Sequence, residues 1–233
     1  MLNFELLNLC ISHTKHPQCN DSLVAEVQAV DGENAAVWLN IASYYFTDNN
    51  TALAKKALER LTLATHYQNY IEEQSALFIE LMKSSPINDF AFHFPQTFSI
   101  AAAKPFHFNA IVNFCRSSFD DSESTKQLCL EVGRQLETLA DDSFVQLMGQ
   151  QLQKEVYAHE QNSELFDQIE QRMKQVNSNP TLYFSALMLM SHDKALYMDW
   201  LAKKRQLGDI EASQWLVKTA IEKSTNNNYQ PCQ

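Results

Sequence analysis

The sequence predicts an all-α protein, an α-solenoid of antiparallel helix hairpins with about ten to twelve helices and no significant sheet. Three observations carry this. Four glycines and six prolines in 233 residues are too few for the many tight turns of a β-sandwich or barrel. Ala, Leu, Gln, Glu and Lys, all good helix formers, are abundant. The hydrophobic residues, 45% of the chain, recur in stripes at helical spacing.

Size and charge set outer bounds. The chain is long enough for a continuous core, either as one repeat-like domain over 1–233 or as two lobes, 1–84 and 106–225, joined by a Phe- and Pro-rich connector at 85–105. A formal charge of −10 argues against nucleic acid as a partner, because phosphate binding needs a basic stripe and none is visible. The densest cationic run, Lys203-Lys204-Arg205, is short and ends a helical segment, where cations complement the helix dipole. No stretch approaches the ~18 uninterrupted apolar residues of a membrane span, so the chain reads as soluble. It opens directly on a helix, which leaves a longer native N-terminus with a removed signal peptide open.

The elements follow in order. A first helix carries Cys10 and is expected to end at Pro17. Residues 37–61 then form the clearest unit. Val37, Trp38, Ile41, Ala42 and Tyr45 line one helical face, Thr47-Asp48-Asn49-Asn50 makes a turn, and Leu53, Ala54, Ala57, Leu58 and Leu61 line a second face. This is a helix hairpin with both stripes turned inward.

These residues resemble a tetratricopeptide repeat. That family places a large aromatic, a small residue and a second aromatic in its first helix, as Trp38, Ala42 and Tyr45 do here, and Ala54 and Leu58 match its second helix. Leu61 and His66 depart from it, standing where the family has a small residue and a closing proline. A fainter echo lies near the C-terminus: Trp200-Leu201-Ala202, then Gly208-Asp209, Glu211-Ala212 and Trp215-Leu216, which looks like the turn and following helix of Sel1-like repeats. The resemblance implies a repeat-type solenoid whose curved surface binds a protein or peptide.

Between the echoes, periodicity and boundary signals mark further helices. Residues 69–83 carry Tyr70, Ala76, Leu77, Ile79 and Leu81 before Ser84-Ser85-Pro86. Leu128, Cys129, Val132, Leu136 and Leu139 form a stripe closed by Asp141-Asp142. Phe144, Met148, Leu152 and Val156 form the next, and Leu165, Ile169, Met173 and Val176 another. Asn179-Pro180 opens a helix with Phe184, Leu187 and Met190, and His192-Asp193 reads as the cap of the following one. Within the connector, Phe90, Phe92 and Phe94 alternate with a strand period that Pro95 cuts short. We read it as irregular chain packing its aromatics on neighbouring helices, with an aromatic-lined ligand groove as the functional alternative.

Five cysteines bear on the compartment. Cys10 with Cys19, and Cys115 with Cys129, are sequence-local pairs that a disulfide could bridge. The second bridge is comfortable if Ser124 caps the helix of Cys129 and strained if Asp120 does. Cys232 is the odd thiol. Cys10, His13, His16 and Cys19 also recur at intervals of three, offering ligands of the kind zinc takes, although only a break at Pro17 could make them converge. Disulfide, free thiols and metal stay open for this cluster, and buried free thiols are the rival for Cys115 and Cys129. Two bridgeable pairs point to an oxidising compartment, a periplasm or the exterior.

Catalytic signatures are missing: there is no glycine-rich phosphate loop, no Gly-x-Ser-x-Gly elbow and no His-Glu-x-x-His. His159-Glu160 with Glu164 and Asp167 reads as a solvated turn. The expectation is a non-catalytic protein- or peptide-binding chain with no cofactor. Its rival is an enzyme or metal protein with a site at the Phe-rich junction or the Cys10 to Cys19 cluster.

Overall fold

The structure is a computed structural model that describes residues 2–13, 15–82, 90, 94, 108–120, 122–176, 180–226 and 228–229. Among them are twelve α-helices and no strand. They are α1 (Leu2–Ser12), α2 (Asp21–Asp31), α3 (Ala35–Thr47), α4 (Thr51–Leu61), α5 (Ile71–Met82) and α6 (Phe108–Ser118). Then come α7 (Glu123–Leu139), α8 (Ser143–His159), α9 (Ser163–Val176), α10 (Pro180–Met190), α11 (Lys194–Leu207) and α12 (Asp209–Ser224). One isolated bridge pairs Asn34 with His66.

The helix starts follow side-chain chemistry. Asn20, Asn34, Asn50, Ser122, Asp142 and Asp193 each accept a first-turn backbone N–H of the helix that follows, satisfying donors with no partner inside the helix. Asp193 thus caps α11, as its sequence position suggests. Gly208 joins α11 to α12 at φ 83°, a left-handed conformation that a side chain would strain.

The chain divides into two compact units, each made of two stretches: Met1–Asn69 with Pro105–Gln175, and Tyr70–Lys104 with Val176–Gln233. The lobes 1–84 and 106–225 are therefore drawn differently from these units. The physical reason is that α6 and α7 pack back onto α3 and α4, while α5 joins the core around Tyr197 and Trp200.

In the first unit, α1 packs on α2 and α3, α3 and α4 form a hairpin, α6 lies on α3, and α7 lies on α4. Leu7, Ile41, Leu58, Leu61, Ile111, Leu136 and Leu152 are fully buried in it. The α7–α8 hairpin closes on two glycines. A Cβ on Gly133 would stand 2.7 Å from the Gly149 carbonyl oxygen, and one on Gly149 would stand 2.5 Å from that of Gly133. Glu137 ties this crossing to α9. It accepts from Gln150 Nε2 (2.9 Å), Gln153 Nε2 (2.6 Å) and Arg172 Nε (2.9 Å). Burial pushes its carboxyl up, but these donors outweigh burial and hold it below the usual carboxylate range. Asn34, fully buried, clasps the start of α3 to the chain after α4: its Oδ1 accepts from Ala36 N and Gln68 N, and its Nδ2 donates to Gln68 O and Asp31 Oδ2.

In the second unit, Met190, Leu196, Tyr197, Trp200, Leu201, Ala212 and Leu216 form the core. Phe90 and Phe94, both helical and four residues apart, pack their rings on Tyr197 at 5.7 and 5.2 Å. For these two residues the connector is helical rather than irregular, since a spacing of four puts both on one face. Phe92 and the rest of 85–105 lie outside the described residues. Lys204 pairs with Asp209 (3.1 Å) and Glu72 (3.8 Å), so part of the cationic run is neutralised inside the unit.

Several expected stripe members face outward. Phe144 and Phe184 are 51% and 65% exposed, and Leu77 and Leu81 are 50% and 61% exposed. Phe144 follows the Asp142 cap closely, before the helix has turned its apolar face inward. No described helix is long and apolar enough to cross a membrane.

Candidate functional site

The two cysteine pairs come together. Cys10 and Cys19 have Cα atoms 5.3 Å apart and Cys115 and Cys129 have them 5.9 Å apart, with the sulfurs of each pair at disulfide distance. The first helix ends at Ser12, earlier than Pro17 suggests, and the chain then reverses through three successive turns: His13 N to Cys10 O, His16 N to His13 O, and Cys19 N to His16 O. Repeated steps of three, which would scatter side chains around a helix, here return Cys19 to Cys10 and leave His13 and His16 exposed. For the second pair the cap is Ser122, neither Ser124 nor Asp120, and Cys129 sits about 10 Å up α7. Cys115 stands in the last turn of α6, and the chain between the helices brings the two Cα atoms within bridging range.

Among the described residues, no group of three or more His, Cys, Asp or Glu side chains is placed to hold a metal ion. His159 Nε2 contacts Asp120 at 2.8 Å, and Glu160 reaches Lys126 at 3.4 Å, so the acidic turn after α8 is an ion-pair cluster joining α7 and α8.

Among the described residues of the first unit lies a groove of about 520 Å³ between α2, α3 and α4. Ile41, Tyr45 and Ala57 are its buried floor, and partly buried Trp38 and Leu53 form its walls. Its rim carries Gln28, Lys56, Glu59, Arg60 and Leu63, the last 71% exposed. Both aromatics are held at their polar ends against α2. Trp38 Nε1 donates to Gly32 O at 2.7 Å, just past the end of α2, and Tyr45 Oη donates to Asp21 Oδ1 at 3.0 Å, at its start. Burial, followed by the bond to Asp21 and the nearby charge, pushes the Tyr45 phenol up to about 12, so it stays a neutral donor. Tyr44 Oη donates to Cys19 O at 3.1 Å, which links the first cysteine pair to the same wall.

A scan against protein-family models, a search of curated proteins and a search of solved structures each found no match.

The sequence pointed to Trp38 and Tyr45 as packing residues, and the structure makes them groove residues as well. The signal was present in and just after α4: Lys56 and Arg60 stand one turn apart, Leu53, expected on the inward stripe, lies at its edge and is only partly buried, and Leu63, two residues past the helix, is exposed. The helix phase of Leu53 shows that it cannot be buried as deeply as Ala54 and Leu58. The Phe-rich connector, read as irregular packing with a ligand groove as its functional alternative, falls largely outside the described residues.

Proposed function

We propose that this chain is a non-catalytic, protein- or peptide-binding helical protein whose binding face is the groove between α2, α3 and α4. One observation carries the reading: a tryptophan and a tyrosine, pinned through their polar ends, border a groove with exposed leucine and two cations at its rim. Fixed aromatics next to arginine are the composition of interface hot spots, because little side-chain entropy remains to be lost on binding. The tetratricopeptide-like spacing of Trp38, Ala42, Tyr45, Ala54 and Leu58 supports the reading, since hairpins of that kind serve as recognition surfaces. Two cysteine pairs at disulfide distance favour a periplasmic or extracellular setting, where such pairs persist.

A displayed random-peptide library selected against the immobilised chain tests this. Enriched sequences should lose binding to a Leu63→Glu variant, whose exposed position leaves the fold intact. Enriched peptides that bind parent and variant equally would place the binding face elsewhere and overturn the assignment.

A further inference from the structure

Which occupant fits the groove follows from the way its helices are packed and from its charge. On one flank of the α3–α4 hairpin, α6 covers α3 and α7 covers α4. On the other flank α1 and α2 cover α3, and no described helix packs extensively on α4. The groove is the space a helix beside α2 would fill. Helix α4 has 11 residues, so that space is about 16 Å long, three helical turns.

Lys56 and Arg60 stand along this space, one turn apart and both exposed. Among the described residues neither nitrogen group pairs with a carboxylate, although the chain carries 28 acidic residues against 18 Lys and Arg. Lys126, Lys154, Arg116 and Arg172 of the same unit each have an acidic partner, whereas Lys55 and Arg134 bond neutral hydroxyls. Lys56 and Arg60 beside an apolar slot, with Glu59 also on the rim, leave that rim one positive charge in excess on a chain of net charge −10.

We infer that the groove takes an acidic amphipathic helix of a partner protein, about three turns long, with apolar side chains between Trp38 and Leu63 and carboxylates one turn apart facing Lys56 and Arg60. This rests on the groove being the binding face. The apolar stripe supplies affinity by the helix-in-groove mode, and the paired charges select against neutral or basic helices of the same shape. Because the long-range field of the chain is negative while the rim is net positive, ionic strength acts on both in opposite directions. Charge exchange is therefore the cleaner readout.

The experiment uses three helix-forming peptides of about 14 residues with one shared apolar stripe. They carry Glu, Gln or Lys at two flanking positions four residues apart, and binding to the full chain is followed by fluorescence anisotropy. The Glu peptide should bind about tenfold more tightly than the Lys peptide, from two exposed pairs changed from attraction to repulsion. The double variant Lys56→Glu/Arg60→Glu should invert that order, and Leu63→Glu should weaken all three peptides. Equal binding of the Glu and Lys peptides, with Leu63→Glu still weakening both, would overturn the acidic helix while keeping the groove. Binding indifferent to Leu63→Glu, or no binding by any peptide, would overturn both readings. Light scattering on the free chain covers one more case: a dimer that Leu63→Glu dissociates would make the occupant a second copy and overturn the partner helix.

Discussion

Replacing Gly149 with alanine puts the α7–α8 crossing to a quantitative test. The added Cβ would meet the Gly133 carbonyl oxygen at 2.5 Å, Glu137 N at 2.7 Å and Leu136 Cβ at 3.1 Å. Ordinary contact begins near 3.4 Å, so the two backbones must part by about 0.9 Å. Neither neighbour in the closest contacts is a flexible side chain that could swing aside. Parting the helices loosens the layer formed by Val132, Leu136, Val145 and Leu152, all buried, and stretches the Glu137 bonds to Gln150 and Gln153. Overpacking of this kind costs ~1–3 kcal/mol, and rigid backbone on both sides places it at the top of that range. Alanine returns ~1 kcal/mol of helix propensity, which leaves a net loss of about 2 kcal/mol. Urea unfolding followed by circular dichroism reads this directly from the midpoint at an unchanged slope. Gly133→Ala should behave alike. The double variant should cost clearly less than the sum, because helices already parted by one methyl accommodate the second. A Gly149→Ala chain about 1 kcal/mol more stable than the parent would refute the close crossing, since propensity alone would then have acted.

Further outcomes are expected. Glu137→Gln should destabilise at neutral pH but progressively less in acid. The folded carboxyl titrates below its ordinary value of 4.5, so its contribution is present above that pH and fades as pH falls through the lowered folded value; urea midpoints of parent and variant across pH 7 to 3 should converge. Asn34→Ala removes the acceptor of the buried Ala36 N and of Gln68 N and the donor to Gln68 O, and should cost about 2–4 kcal/mol by the same denaturant measurement. Intact mass should rise by about 4 Da on reduction, and loss of the pairs, with sequence separations of 9 and 14 residues, should cost roughly 3 kcal/mol each. An unchanged mass would mean free thiols.

The helical fold was legible because stripes such as Leu128, Val132 and Leu136 report one buried face regardless of what covers it. Turn chemistry was legible where a side chain acts on its own neighbours, as Asp193 does at α11. Element ends were harder. Nothing local marks Ser12 as the end of α1, because the chain leaves the helix through turns completed by distant residues, among them Tyr44 on Cys19. Phe144 and Phe184 carry the right period and still face outward, since periodicity names a face without saying how wide the covering surface is. The groove was the least legible feature. Trp38 and Tyr45 serve as packing residues and as groove wall and floor at once, and only the placement of α2 beside α3 separates those roles.

The discontinuous units bear on the order in which the chain can mature during synthesis. The first unit needs residues up to Gln175, so its early helices leave the ribosome well before α7 and α8 exist to cover them. Helix α5 waits longer still, with more than ninety residues separating Met82 from the start of its partners after Val176. Translation at ~5–20 residues per second makes these waits last seconds, long enough for exposed apolar faces to need protection by chaperones or by fast hairpin formation. Hairpins that close locally, α3 with α4 and later α7 with α8, are suited to that role. A truncation ending between residues 85 and 105 would release α5 without the 176–233 stretch of its unit.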